Sequence, residues 1–229
     1  DAVDYTLRHT DRPVLGVVPY LDRLALPEED SVAFKNGDLD DRRPLQESVE
    51  IAIIDLPHIS NFTDFDALRL EPDVRARIVR SAHELSAPDA IILPGSKNVI
   101  RDLEYLRQHG FDKRIHELAA AGKTEIVGIC GGFQILGEQI NDPHHIESNQ
   151  ESIAGLRLLA LSTVMAPHKT LTRATAKHIP SGLLVNGYEI HHGQSDTVRA
   201  RPIIRREDGT VIGAATEDGR VWGAYLHGV

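Results

Sequence analysis

The stretch EIVGICGGFQILGEQ, residues 125–139, constrains the fold of this chain more than any other. The apolar run Glu125–Ile129 predicts a short buried strand, and Gly131–Ile140 predicts the start of a helix. Cys130, the sole cysteine, lies at the junction. Small neighbouring residues allow a sharp corner there, so that the thiol projects from the strand end while the next amides open the helix. A lone cysteine is often buried and inert, but this setting indicates a nucleophile, and a helix N-terminus favours its thiolate.

Strands and helices alternate along the sequence up to residue 140. Helical spacing of apolar residues indicates two helices between residues 99 and 122, and short apolar runs indicate the strands. The strands predicted before Cys130 are Val49–Asp55, Val74–Val79, Ala90–Leu93 and Glu125–Ile129. Those predicted after it are Gly155–Thr163, Thr170–His178, Gly187–Ile190, Val211–Ala215 and Val221–Leu226. This order predicts an α/β fold with a doubly wound, mostly parallel sheet and added antiparallel strands.

The first part of the chain is predicted to belong to a different unit. Val14–Val18 is an apolar run that predicts a buried strand, and residues 35–48 are polar and rich in turn formers. We therefore expect residues 1–47 to be the tail of a preceding domain and a linker, and residues 48–229 to be the main domain. The sequence begins without methionine, which suggests a fragment.

Composition limits the classes of partner. The net charge is −9 with no basic run, which argues against a nucleic-acid surface. No apolar run approaches the roughly 20 residues of a membrane span, so no membrane partner is expected. One cysteine excludes an internal disulfide and suits the cytoplasm, which is the expected location.

A cysteine nucleophile needs a base and donors for an oxyanion. His227 follows the apolar run VWGAYL and is therefore expected at a strand end, where open α/β sheets gather their ligands. The loop LPGSKN, residues 93–98, follows a buried strand and can present backbone amides.

Several motifs carry a resemblance to a known family. GICGGFQILG (128–137), LPGSKNVIRDLEYLRQHGFD (93–112), NGYEIHHG (186–193) and GAYLHG (223–228) resemble a class I-type glutamine amidotransferase domain. More narrowly, the chain resembles the C-terminal half of cobyric acid synthases, which use ATP to amidate corrin side chains. Residues 14–34 resemble the end of their synthetase domain, and residues 54–68 resemble the opening of their amidotransferase domain.

This resemblance implies a glutaminase. Cys130 would attack the side-chain amide of glutamine, and His227 would protonate the departing ammonia. The oxyanion donors would be the amides of Gly95 and Gly131, while Ser96 and Gln134 would contact the substrate. No metal or cofactor is expected in this chain.

The resemblance also implies partners outside this chain. Ammonia would pass to an N-terminal synthetase domain, where ATP and Mg²⁺ support amidation of the b, d, e and g side chains of cobyrinic acid a,c-diamide. The sequence contains no GxxxxGK[ST] phosphate loop, so ATP is not expected to bind this chain by that route.

The third member of the catalytic triad is not evident from the sequence. Many class I amidotransferases place a glutamate two residues after the histidine, but that position here is Val229. Glu189 is the candidate orienter. His144 and His145 with Glu147, like His191 and His192, lack zinc-site spacing and are interpreted as loop or pocket-side residues.

Two alternative functions stay open at this point. The first is the glutaminase domain of an amidotransferase with another acceptor, such as a corrin a,c-diamide synthase or an enzyme that amidates a cell-wall precursor. The second is a non-catalytic docking module. Cys130 and the glycine motifs that flank it favour an enzyme over the docking module.

Overall fold

The computed structural model describes residues 2–17 and 48–228. Helix α1, Ala2–Thr10, has no buried residue, and residues 11–17 have no regular structure. The strand predicted over Val14–Val18 is wrong for residues 14–17, since Leu15 is 97% exposed and no described strand pairs with it. Val18 and the predicted linker before Ser48 lie outside the described residues.

From residue 48 onward, strands alternate with helices and then dominate. The strands in chain order are β1 (Val49–Ile54), β2 (Ile59–Ser60), β3 (Val74–Val79), β4 (Ala90–Leu93), β5 (Gly95–Ser96), β6 (Glu125–Ile129), β7 (Gln139–Asn141), β8 (Ser152–Ala154), β9 (Ser162–His178), β10 (Leu184–Asp196), β11 (Arg201–Arg206), β12 (Val211–Ala215) and β13 (Val221–Ala224). The helices after α1 are α2 (Asp66–Leu70), α3 (Val99–Gln108), α4 (Phe111–Ala121) and α5 (Gly131–Leu136), with 3₁₀ turns at Phe62–Phe65 and Ala82–Glu84. No helix in either described stretch is long and apolar enough to cross a membrane.

Eleven strands of the described residues form one mixed sheet. The parallel part has the order β3-β1-β4-β6-β13, and the sheet continues through antiparallel β12, β11 and β9. The predicted α/β fold, with a parallel sheet and added antiparallel strands, is confirmed. Because β6 lies between β4 and β13, the carboxyl ends of these three strands open at one edge.

Local sequence accounts for the parallel core. β1, β4 and β6 are mostly aliphatic, with Glu50 and Glu125 near the starts of β1 and β6, as expected for strands covered on both faces. Helix α3 begins after Asn98, whose side chain accepts a hydrogen bond from a first-turn amide. Its buried residues Ile100, Leu103 and Leu106 follow helical spacing. Helix α4 ends at Gly122 in the left-handed conformation that glycine tolerates.

Helix α5 is shorter than the sequence predicts. It ends at Leu136, and Ile140 lies in strand β7. The break falls at Gly137, which has extended backbone. A side chain at Gly137 would lie 2.6 Å from Leu161, so the glycine lets the following segment pack closely against the helix end.

That following segment also differs from prediction. The strand predicted over Gly155–Thr163 is wrong before Ser162, where β9 begins. The amides of residues 155–159 donate instead to carbonyl groups of residues 135–138. These amides pair with the carbonyl groups at the end of α5 that have no partner within the helix. Because they are used in this way, residues 155–159 do not join the sheet as a strand.

Strands β9 and β10 form a long antiparallel ribbon. The predicted strands Thr170–His178 and Gly187–Ile190 lie within them, although each observed strand is longer. The register shifts between His191 and Gly193. Such an irregularity bends a strand and re-aims its side chains, here beside the carboxyl edge of the parallel sheet.

The corner after Cys130 has no room for a side chain at position 132, which is a glycine. A Cβ atom there would overlap the carbonyl oxygen of Leu93, and the amide of Gly132 donates to Pro94 at 3.0 Å. We expect Gly132→Ala to lower the free energy of unfolding by about 3 kcal/mol or more, because backbone atoms must separate. Urea denaturation measures this. The control Gly122→Ala meets open space and should cost about 1 kcal/mol through backbone strain alone; equal losses in both variants would contradict the prediction.

Candidate active site

Cys130 occupies the corner between β6 and α5. Its backbone has φ 50° and ψ −102°, a conformation that is strained for a residue with a side chain. Its amide donates to Ala224 at 2.8 Å, and its carbonyl accepts the amide of Gln134 at 3.1 Å. The thiol points to the carbonyl oxygen of Ile190 at 3.7 Å. The side chain therefore projects from the sheet edge toward β10, as a nucleophile at such a corner must.

The Cys130 thiol is protonated in the resting site. Burial raises its pKa to about 12, and the negative charge of Asp64 adds to the rise. The amide of Gly131 and the charge of Lys169 lower the pKa without reversing it. The first amide of helix α5 therefore favours the thiolate, as expected from the sequence, but burial outweighs it. A buried thiol of this kind needs a base to become a nucleophile.

His227 and Asp64 form a buried pair. The Nδ1 atom of His227 donates to Asp64 Oδ2 at 2.7 Å, and the amide of Gly228 donates to Asp64 Oδ1 at 2.9 Å. Nε2 of His227 is buried and has no hydrogen-bond partner among the described residues. Because the carboxylate holds the proton on Nδ1, Nε2 is the nitrogen that can accept one.

Strand β10 brings this histidine close to the cysteine. Tyr188 and His227 exchange backbone hydrogen bonds of 3.1 and 2.9 Å, and their rings stack at 5.3 Å. The carbonyl oxygen of Ile190 accepts the hydrogen bond from the Cys130 thiol. Ile190 lies two residues after Tyr188, which is about 7 Å along the strand. Cys130 and His227 also follow the neighbouring parallel strands β6 and β13. The structure therefore brings the two predicted catalytic residues to one edge of the sheet.

Glu189, the candidate orienter from the sequence, does not contact His227. Its carboxylate accepts a hydrogen bond from Arg206 at 3.0 Å and lies 3.3 Å from Nε2 of His191. Successive residues of a strand point to opposite faces, so when Tyr188 stacks on His227 its neighbour Glu189 points away. The orienting position is occupied by Asp64 instead.

Sequence reasoning missed Asp64, although one signal was present. Asp64 lies in HISNFTDFDAL, the polar segment that follows β1. Polar residues after the carboxyl end of a parallel strand are placed at the edge where open α/β sheets bind their ligands. The segment could therefore have been searched for an acid, but its pairing with a residue 163 positions away could not be read from spacing.

A cavity of about 280 Å³ opens beside Cys130. It is lined by Ser60, Asn61, Ser96, Lys97, Val99, Cys130, Gly131, Gln134, Ile146, Glu147, Met165, Lys169, Ile190, His191 and His192. Its size is near the lower end for small-molecule sites. The predicted substrate contacts Ser96 and Gln134 both line it, and so does Glu147, which the sequence placed in an ordinary loop. No three His, Cys, Asp or Glu side chains in the described ranges are grouped to hold a metal ion.

The register of β2 and β5 determines which loop amide faces the corner. Lys97 donates to His58 at 2.8 Å, and Ser60 pairs with Gly95 two positions along the same antiparallel ladder. Hydrogen-bonded and non-hydrogen-bonded pairs alternate in such a ladder, so the Gly95 amide faces Ser60. The amide of Ser96, at the intervening position, faces away from β2. The geometry therefore does not support Gly95 as an oxyanion donor and favours Ser96.

Close approach of backbone to backbone brings this loop to the corner. A Cβ atom on Gly131 would lie 2.8 Å from the Ser96 amide nitrogen, and one on Gly95 would lie 3.1 Å from Cε1 of His227. The Ser96 hydroxyl donates to buried Asp102 at 2.6 Å. This side chain therefore anchors the loop, while its backbone amide lies beside Gly131.

The fold is shared with solved structures that include a glutamine amidotransferase. PurLQS from Thermotoga maritima matches with a TM-score of 0.60 and 19% identity, over 79% of this chain and 87% of that one. A glutamine amidotransferase from the same organism matches with a TM-score of 0.53 and 15% identity, over 78% and 75%. At these identities the likeness establishes the fold class alone.

Residues 50–229 match the CobB/CobQ-like glutamine amidotransferase domain, and the chain belongs to this family. The adenosylcobalamin biosynthesis bifunctional protein CobDQ of Leptospira interrogans is 50% identical over 99% of this chain. The cobyric acid synthases of Moorella thermoacetica and Nitratidesulfovibrio vulgaris are 45% and 42% identical over 100% of it. The chain spans 26%, 46% and 49% of these three proteins, respectively.

Proposed function

We propose that this domain hydrolyses glutamine through a cysteine thioester. The observation that carries the proposal is the buried Asp64–His227 pair, set at the same sheet edge as Cys130. A strained corner, a buried thiol and an oriented imidazole together constitute a nucleophile with its base.

The residues act in a defined order in this mechanism. Nε2 of His227 takes the proton from Cys130, and the sulfur attacks the side-chain amide carbon of glutamine. The amides of Ser96 and Gly131 donate to the resulting oxyanion. His227 then returns the proton to the departing nitrogen, and ammonia leaves. Water, deprotonated by the same imidazole, hydrolyses the γ-glutamyl thioester to glutamate.

The whole-protein function is proposed from the relatives. Relatives at least 40% identical carry the name cobyric acid synthase and are about twice as long as this chain. We propose that the ammonia is used by an N-terminal synthetase domain that binds ATP and Mg²⁺ and amidates the b, d, e and g side chains of cobyrinic acid a,c-diamide. Residues 1–47 would then join the two domains.

The alternative functions are less well supported. A corrin a,c-diamide synthase or an enzyme that amidates a cell-wall precursor would use the same glutaminase chemistry, but the named relatives favour the cobyric acid product. A non-catalytic docking module would not need the hydrogen bond of 2.7 Å between Nδ1 of buried His227 and Oδ2 of Asp64.

The experiment uses the full-length protein and two measurements. A diazo-ketone analogue of glutamine should alkylate Cys130, which mass spectrometry of peptides locates. In a second assay, cobyrinic acid a,c-diamide, ATP and Mg²⁺ should yield cobyric acid with either glutamine or ammonium as nitrogen source. Failure to label Cys130 would contradict the glutaminase proposal, and labelling without cobyric acid formation would contradict the proposed acceptor.

A further inference from the structure

Tyr188, in the motif NGYEIHHG of β10, has no part in the mechanism described above. Its ring lies on the imidazole of His227, with the ring centroids 5.3 Å apart and the planes 24° from parallel. The backbones of the two residues exchange hydrogen bonds of 3.1 and 2.9 Å. A Cβ atom on Gly187 would overlap the carbonyl oxygen of His227, so the glycine before the tyrosine allows this close approach. The motif therefore places an aromatic ring against one face of the histidine.

The hydroxyl group of Tyr188 contacts the segment that carries Asp64. The side-chain amide of Asn61 donates to this hydroxyl at 2.6 Å. Asn61 directly precedes the 3₁₀ turn Phe62–Phe65, in which Asp64 lies. The backbone of Asn61 has φ 54°, a left-handed conformation that asparagine tolerates better than most residues. The hydrogen bond therefore ties β10 to the start of the turn that presents the acid.

Tyr188 contacts the acid–base pair and not the substrate cavity. A Cβ atom on Gly228 would lie 3.3 Å from Cε1 of the tyrosine, and the amide of Gly228 donates to Asp64. Among the described residues, those that line the cavity beside Cys130 do not include Tyr188. A substitution of this tyrosine should therefore act on catalysis more than on glutamine binding.

The imidazole needs more support than its hydrogen bond to Asp64. That bond fixes Nδ1 of His227, but the ring can still tilt about it and carry Nε2 away from the sulfur. A misplacement of about 1 Å in an active site can cost about 100-fold in rate. A ring stacked on one face opposes the tilt. The face of a tyrosine ring is also negatively polarised, and within about 6 Å it favours the positive charge that the imidazole gains with the proton.

We propose that Tyr188 is a positioning residue for hydrolysis of glutamine. Its ring fixes the plane of the His227 imidazole, and its hydroxyl fixes the turn that carries Asp64. This inference rests on the proposed function. The two contacts keep Nε2 of His227 directed at Cys130 while the proton moves from the sulfur to Nε2 and then to the departing nitrogen.

Removal of the ring should lower turnover without weakening substrate binding. In the full-length protein we expect Tyr188→Leu to lower kcat for glutamate release by about 30- to 100-fold and to change KM by less than about threefold. Tyr188→Phe keeps the ring and should lower kcat by about 3- to 10-fold, because it loses one hydrogen bond. Steady-state kinetics with glutamine measures both constants. An unchanged kcat in Tyr188→Leu, a loss that lies wholly in KM, or equal losses in the two variants would overturn the proposal.

Asn61→Gly tests the hydroxyl contact separately. Glycine adopts the left-handed backbone without strain but cannot bond to Tyr188. In the Asn61→Gly protein, Tyr188→Phe should therefore lower kcat by less than about 1.5-fold, because the hydrogen bond is already absent. Additive losses would overturn the proposal. This comparison decides the matter even if Tyr188→Leu does not fold.

A proton NMR signal reports the position of the imidazole without turnover. The proton that Nδ1 of His227 donates to Asp64 should give a low-field resonance, which is assigned by its absence from Asp64→Asn. We expect the signal to persist in Tyr188→Phe and to broaden in Tyr188→Leu, because a mobile imidazole exchanges this proton with water. An unchanged resonance in Tyr188→Leu would overturn the proposal.

The matched control is a second pair of tyrosine and histidine. The ring of Tyr105 lies 4.1 Å from that of His109 at the end of α3, outside the candidate site. Tyr105→Leu should change kcat by less than about twofold. A loss as large as that of Tyr188→Leu would show a general effect of removing a tyrosine and would overturn the proposal. Failure of the diazo-ketone to label Cys130 would contradict the proposed function, whereas normal labelling with unchanged kcat in Tyr188→Leu would contradict this inference alone.

Discussion

Replacing Cys130 by alanine should reduce release of glutamate from glutamine to background, a loss of at least about 1,000-fold in kcat. The thiol is the group that forms the thioester, and no other cysteine exists in the chain to replace it. A coupled glutamate dehydrogenase assay on the full-length protein measures this loss. Ammonium-dependent amidation should persist in the same variant, because that step does not use the sulfur. Undiminished glutamate release from the alanine variant would overturn the nucleophile assignment.

A second substitution separates chemistry from backbone strain. Because Cys130 has φ 50°, a glycine relieves strain that an alanine retains. We expect the free energy of unfolding of Cys130→Gly to be about 1 kcal/mol higher than that of Cys130→Ala, as measured by urea denaturation. Both variants should be inactive. If the alanine variant were as stable as the glycine variant, the corner would not be strained.

Replacing Asp64 by asparagine should lower kcat for glutamine by about 100- to 10,000-fold with a much smaller change in KM. Asparagine keeps the shape, but its amide can present N–H to Nδ1 of His227. The imidazole would then carry its proton on Nε2, the atom that must accept one from Cys130. Steady-state kinetics with glutamine measures the effect on both constants.

The control for this prediction lies two residues away. Asp66 is on the exposed start of α2 and faces Arg69 at 3.8 Å. Asp66→Asn should change kcat less than about twofold. Comparable losses of kcat in Asp64→Asn and Asp66→Asn would show that the effect comes from disturbing this segment and not from the loss of the Asp64 carboxylate. Retention of most activity in Asp64→Asn would remove Asp64 from the mechanism.

The parallel half of the fold could be predicted because its sequence signals are local. Strands β1, β4 and β6 are short, mostly aliphatic runs, and glycines mark the ends of α3 and α4. The end of α5 could not be predicted in this way, because a distant segment, residues 155–159, completes its hydrogen bonds. Local periodicity contains no information about such long-range partners.

The residues of the candidate site could also be predicted only in part. Cys130 was identified from its corner and His227 from its position at a strand end, and the structure places both at one edge of the sheet. The positions of Asp64 and Ser96 in the site depend on a contact across 163 residues and on the register of a two-residue ladder, respectively. Neither of these follows from motif spacing.

The elevated pKa of Cys130 has a consequence for how the protein survives in the cell. Peroxides and small alkylating agents react with thiolates, and almost none is present when the pKa is about 12. In the proposed mechanism the thiolate forms only when Nε2 of His227 takes the proton from Cys130, with glutamine in the cavity. We therefore expect the Cys130 thiol to react slowly with such reagents when no substrate is bound.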